Sequence, residues 1–178
     1  MEQKEENRFI NGNIPLVINS YIDIFSSFDS RPFSSKSLSD DFLNECKKAA
    51  RDKSDMGLEL IISVPKEKRN INDEFKIKKR LKEHFKKHFL QKQEEIRKIK
   101  LEGWMWVGFG IILFLAVFLG LLRLETSPYK SLLTIFEIPS WFLVWEGMGK
   151  IFLDTRKIEP DYNFYRKMSE VYIIFDSH

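Results

Sequence analysis

The sequence predicts an α+β membrane protein, a two-helix transmembrane hairpin carrying a small cytoplasmic α/β module built from a βαβ unit and a C-terminal strand. Three observations predict it. An unbroken apolar run, Trp104 to Leu122 (WMWVGFGIILFLAVFLGLL), lies between Glu102 and Arg123. A second apolar segment, Ser131 to Met148, follows a short polar connection. Short β-type runs near both ends of the chain flank helical stretches. Nineteen helical residues rise ~28 Å, close to the ~30 Å hydrocarbon core, and a buried globular helix of that length rarely lacks a polar face.

The chain has 178 residues, enough for one modest soluble module beside a membrane part. Lys and Arg number 29 against 26 Asp and Glu, so the distribution of charge says more about partners than the total. A single cysteine, Cys46, excludes an intrachain disulfide framework and suits a reducing compartment as a small helix residue. The polar start, Glu2 to Asn7, carries no secretory signal, so the internal helix is expected to direct insertion.

Residues 1–13 end in the turn-prone Asn11-Gly12-Asn13 and read as a flexible lead-in. Residues 14–70 read as the cytoplasmic α/β module. Ile14 to Ile18 is a short strand, and Ser20 with Asp23 three positions on caps a short helix over Tyr21 to Phe25. The serine-rich stretch from Ser26 to Ser39 is an ordered loop, expected to be pinned by Phe28 and Phe33. Ser37 or Ser39 caps a helix over residues 40–52, with Asp40 and Asp41 in its first turn and Lys47, Lys48 and Arg51 near its end, each matched to the helix dipole. Leu58 to Val64 (LELIISV) is the strongest strand signal and stops at Pro65. Strand, helix, strand implies a parallel pair with a right-handed crossover. Two strands alone are too few, so Val171 to Phe175 (VYIIF) is predicted to return and complete the sheet.

Residues 71–103 form a basic juxtamembrane helix running into the first span, residues 104–122. Ile77, Leu81, Phe85, Phe89, Ile96 and Ile99 make its apolar stripe. Lysine and arginine dominate the other faces, which marks this side as cytoplasmic and makes Lys92, Arg97, Lys98 and Lys100 candidates for anionic lipid headgroups rather than nucleic acid. Residues 123–130 form a short extracytoplasmic loop and residues 131–149 the second span, broken by Glu137, Pro139 and Glu146, with a kinked interfacial helix as the alternative. Trp104, Trp106, Trp141 and Trp145 are interfacial anchors. Residues 150–178 supply a helix over Asp161 to Ser169 and the last strand, which places both termini in the cytoplasm.

Glu137 is the principal intramembrane polar candidate. A carboxylate near mid-bilayer costs ~2.5 kcal/mol or more and must face protein or water, either lining an ion path, bonding a neighbouring subunit, or pairing with Arg123. Glu146 lies half a turn away around the same helix and near the interface. His84 and His88 have the i, i+4 spacing of metal ligands, but no cysteine pair or catalytic Glu accompanies them, so they read as solvated helix-face histidines. No metal site, cofactor motif or catalytic triad can be assembled. Gly108, Gly110 and Gly120 lack the simple small-xxx-small spacing.

Taken together, IFSSFDSRPFSSKSLSDDF, the basic helix entering a first span, and SWFLVWEGMGKIF followed by DYNFYRKM resemble an uncharacterised family of small bacterial two-span membrane proteins. The resemblance covers the chain from about residue 14. It rests on the paired tryptophans Trp141 and Trp145 with Glu146, then the basic helix bearing Tyr165 and Arg166. It implies topology and location in a bacterial inner membrane, with no activity attached; this chain lacks the tryptophan-rich stretch that relatives carry after the position of Gly149. The expected role is a membrane-anchored oligomeric interaction or effector subunit, with a homo-oligomer and a protein partner, and no catalysis. A small oligomeric channel or membrane-permeabilising effector, with Glu137 near the conduit, is the alternative.

Overall fold

The computed structural model describes residues 12–51, 53, 57–123 and 130–177. The lead-in and the connection expected at residues 123–130 therefore lie almost wholly outside the described residues. The chain forms two compact units, one comprising residues up to Leu90 together with Tyr162 onward, the other Gln91–Asp161.

In the first unit, β1 (Asn13–Val17), β2 (Glu59–Val64) and β3 (Tyr172–Ser177) form one sheet in the order β1-β2-β3, parallel throughout. The helices are α1 (Asp40–Ala50), the start of α2 (Ile71–Arg123) and the end of α4 (Thr155–Ser169). Because the strand order advances in one direction and parallel crossovers are right-handed, both connections lie on one face of the sheet. Ile14, Leu60, Ile62, Val64, Ile173 and Phe175 point to that face and are buried against Phe42 and Cys46 of α1, Ile77, Leu81 and Phe85 of α2, and Phe164 and Met168 of α4. The alternation of β2, with every second residue buried, is the one-sided burial that a two-layer α/β unit requires.

Local chemistry sets the connections. Asp23 accepts hydrogen bonds from the backbone N–H groups of Asn19 and Ser20 at 2.9 and 3.0 Å, which holds the 3-10 turn Tyr21–Ile24. In the serine-rich loop, Phe33 packs on Phe25 and Tyr21, but Phe28 is 99% exposed and pins nothing. The loop is organised instead by Asp29, whose carboxylate accepts from the Arg31 guanidinium at 2.7 Å and from the Ser37 N–H at 2.7 Å. The start of α2 is tied down by Glu74, only 6% exposed, which receives the Tyr21 hydroxyl at 3.0 Å and the Arg69 guanidinium at 2.8 and 3.0 Å. Arg69 also donates to the Phe175 carbonyl at 3.3 Å, so one network joins the first helical turn, the α2 entry and β3.

In the second unit, α3 (Lys130–Gly149) packs antiparallel along the apolar half of α2. Gly120 meets Leu133, Gly110 meets Ser140 and Val144, and Gly103 meets Gly147 and Ile151, so numbers fall on one helix as they rise on the other. Pro139 is accommodated inside α3, and the neighbouring Ser140 hydroxyl donates to the Phe136 carbonyl at 2.7 Å, which satisfies a fully buried polar side chain. A π-type turn, Lys150–Asp154, joins α3 to α4.

Among the described residues, α2 alone is long and apolar enough to cross a membrane, and only 17% of its apolar stretch is buried, unlike the core helix of a soluble protein. The expected second span does not reach the same apolarity. Glu137 and Glu146 fall within the 20 residues of α3 and offset its leucine, isoleucine and phenylalanine content.

Candidate functional site

Glu137 stands in the middle of α3. The register with α2 sets it between the Leu133 and Ser140 contacts, level with the central part of the Trp104–Leu122 run. It is exposed, flanked by exposed Phe136, Ile138 and Trp141, and makes no hydrogen bond or ion pair among the described residues. Arg123 is also exposed and makes no ion pair with it; the end of α2 lies about 10 Å along the axis from the level of Glu137. Glu146 lies on the opposite side of α3 and borders an open groove with Lys150, Asp154, Arg156 and Lys157 at the π-type turn. The two carboxylates are thus held apart, one on an apolar surface, the other among mixed charges. Lys150 pairs across to Glu102 of α2 at 3.2 Å, which ties down the charged end of the helix pair, while Lys157 and Asp154 pair locally at 2.8 Å three positions apart.

The four tryptophans are exposed to different depths. Trp104 and Trp106 sit at the start of the apolar run, with Trp145 near their level. Trp141 lies further in and meets Phe114 edge-on at 5.7 Å, so it packs the two helices together as well as facing outward. Of the basic candidates, Lys92 pairs with Glu95 at 2.8 Å, Arg97 with Glu94 at 3.1 Å and Lys98 with Glu94 at 3.9 Å, while Lys100 is exposed and makes no ion pair among the described residues. Neighbouring glutamates on the same helix therefore offset much of the charge offered to a headgroup.

His84 and His88 are partly buried rather than standing on an open helix face. They lie 4.2 Å apart between ring centroids, and His88 stacks on Tyr165 of α4 at 5.1 Å. Burial, reinforced by His88, Arg80 and Lys87, lowers the His84 imidazole to about 4, and its Nε2 has no hydrogen-bond partner among the described residues. The helical spacing that suggested metal ligation instead packs two rings between helices. Among the described residues no cluster of three or more His, Cys, Asp or Glu could hold a metal. Cys46 is fully buried, and burial raises its thiol to about 12, with the neighbouring Glu45 adding to the shift.

The residues missed from sequence are the small ones at the helix contact. A methyl group built on Gly103 would lie 2.8 Å from the Gly147 carbonyl, and one on Gly110 2.8 Å from a Val144 methyl. Gly103 and Gly110 are seven apart, as are Ser140 and Gly147, with Val107 and Val144 between them. The signal was a seven-residue repeat of small residues on both helices, which a search for four-residue spacing passes over.

No protein-family model, curated protein or solved structure matches this chain. The functional reading rests on its own residues.

Proposed function

We propose that this chain is a membrane-anchored, oligomeric interaction or effector subunit of a bacterial inner membrane. Both α2 and α3 span as a hairpin, both termini lie in the cytoplasm, and the three-stranded unit is presented there. No catalysis is expected of it. The observation that carries the reading is the place of Glu137, a carboxylate on the apolar surface of α3 with no partner in its own chain among the described residues. In a bilayer such a group costs ~2.5 kcal/mol or more unless protein or water covers it. The close α2–α3 contact through Gly103, Gly110 and Gly147 makes the hairpin a rigid pair whose outer surface remains for neighbouring copies. The shortfall in apolarity of α3 is then a property of a helix that spans inside an assembly rather than alone in lipid.

Native mass spectrometry of the protein in nanodiscs tests this. An oligomer that dissociates in Glu137→Leu, while the first unit keeps its thermal midpoint, supports the reading. A monomer at all concentrations sinks it. A ring-sized oligomer whose conductance falls in Glu137→Gln shifts the reading to the channel.

A further inference from the structure

The two edges of the sheet differ. Strand β1 turns Gly12, Ile14, Leu16 and Ile18 toward β2, as the Gly12–Glu59 and Ile18–Ser63 backbone bonds fix, so Asn13, Pro15 and Val17 face outward. Pro15 has no N–H to offer there, which blunts that edge. On β3 the Tyr172 N–H donates inward to Leu58, which leaves Ile173, Phe175 and Ser177 facing outward. The Phe175 carbonyl is taken by Arg69, but the Ile173 N–H and C=O and the Phe175 N–H have no partner among the described residues.

Beside that open edge lies a groove of about 390 Å³, between Phe75, Lys78, Lys79 and Lys82 of α2 and Tyr172 and Ile173 of β3, with Glu83 also on its wall. Phe75 and Tyr172 are large exposed aromatics. Lys78 and Lys82 stand 5.6 and 5.8 Å over the Phe175 and Tyr172 rings. None of the three lysines makes an ion pair among the described residues, whereas Lys48, Lys76, Lys92 and Lys157 each have a carboxylate partner three positions away. An antiparallel pairing of two β3 edges would bring two such lysine sets to one seam, and like charges there oppose it. Charge complementarity selects an acidic occupant.

We infer that the β3 edge and α2 form a docking groove for an extended acidic segment of a partner protein, which adds to the sheet as a fourth strand. Its backbone pairs with Ile173 and the Phe175 N–H; side chains on the helix-covered face carry carboxylates to Lys78, Lys79 and Lys82 beside Phe75, while the alternate, apolar ones lie along Tyr172 on the other face. This inference is independent of the membrane reading, because every group it uses lies in the first unit.

Fluorescence anisotropy on the full-length protein in nanodiscs tests it, with three labelled peptides of about eight residues. One alternates Glu and Val, one alternates Lys and Val, and one is the Glu/Val peptide with its backbone N-methylated. The expected result is saturable binding of the first peptide only, weakened by about tenfold or more in the triple variant K78E/K79E/K82E. Lys78 also helps to hold the buried Glu74 carboxylate ionised, so K79E/K82E, which leaves Lys78 in place, is measured beside the triple variant and is expected to weaken binding in the same direction. Equal binding of the N-methylated peptide would mean charge attraction without strand addition and would overturn the inference. So would binding of the Lys/Val peptide, or no binding of the Glu/Val peptide. Cross-linking between Ser177→Cys copies would assign the edge to a second copy instead.

Discussion

Three side chains have environments that make distinct predictions. The Glu74 carboxyl is opposed by burial, which alone would raise its pKa, but the Arg69 and Tyr21 hydrogen bonds outweigh that and hold it below its usual range. Removing Glu74 leaves the Tyr21 hydroxyl and the partly exposed Arg69 guanidinium without their acceptor, so Glu74→Ala is expected to cost about 2 kcal/mol in denaturant unfolding. A loss below about 1 kcal/mol would show the network to be no more than a surface pair. His84 is held neutral when folded, with its pKa depressed to about 4 against 6.5 for the free side chain. In that window the unfolded chain binds more protons, so stability rises with pH and is lost as pH falls from about 6.5 toward about 4. The lowered carboxylate of Glu74 adds a loss only at more acid pH, below its usual range near 4.5. A drop in thermal midpoint between pH 7 and about 5.5, reduced in His84→Leu, therefore isolates the histidine from the carboxylates. Cys46, with its thiol raised to about 12 by burial, is expected to resist maleimide until the chain is denatured; rapid labelling of the native protein would contradict its placement in the core.

At the scale of elements, the α2–α3 contact is set by missing side chains. Gly147→Ala places a methyl 2.5 Å from the Gly103 carbonyl and 2.8 Å from the Val107 nitrogen, both backbone atoms that cannot rotate away. The helices must part, at a cost of about 1–3 kcal/mol as in other overpacked contacts. Gly108→Ala meets nothing within 4 Å and should be neutral or stabilising by up to ~1 kcal/mol, since alanine is the better helix former. Disulfide cross-linking between cysteines placed at Phe114 and Trp141, whose rings meet edge-on across the two helices, reports the separation. Equal cross-linking in the two variants would mean the glycines do not set the distance. The seven-residue spacing of Gly103 with Gly110, and of Ser140 with Gly147, was present in the sequence, yet nothing in one helix alone says which residues of the other it meets. The histidine pair was misread for a related reason. A lysine-rich helix looks solvated when read alone, and only the return of α4, with Tyr165 against His88, partly covers that face.

For the whole molecule, strand order joins distant parts of the chain. β3 comes from the last residues and pairs along the whole of β2, which comes before α2 and α3. Deleting residues 171–178 removes Val171, Ile173 and Phe175 from the core and turns the apolar central strand β2 into an edge. The first unit is then expected to unfold and become protease-sensitive, while Gln91–Asp161, with its own helix contacts, retains its helical signal. Persistence of a cooperative thermal transition in the first unit would count against the shared sheet. Parallel strands with long right-handed crossovers form slowly, since the ends must meet after more than a hundred intervening residues.

The sequence by itself determined the elements, because period and composition act locally. The apolar run of α2, the alternation of β2, the acidic start of α1 and the proline stop after Val64 each follow from neighbours within a few residues. It also singled out Glu137 by chemical mismatch with its surroundings. Tertiary structure alone decided what depends on distant partners. Asp29, not Phe28, organises the serine-rich loop, because the loop closes around a carboxylate that can accept several N–H groups at once. Glu74 became a buried junction once Tyr21 and Arg69 converged on it. The open β3 edge beside Lys78, Lys79 and Lys82 exists only in the fold, since strand pairing decides which backbone groups are left outward and helix packing decides which charges stand beside them.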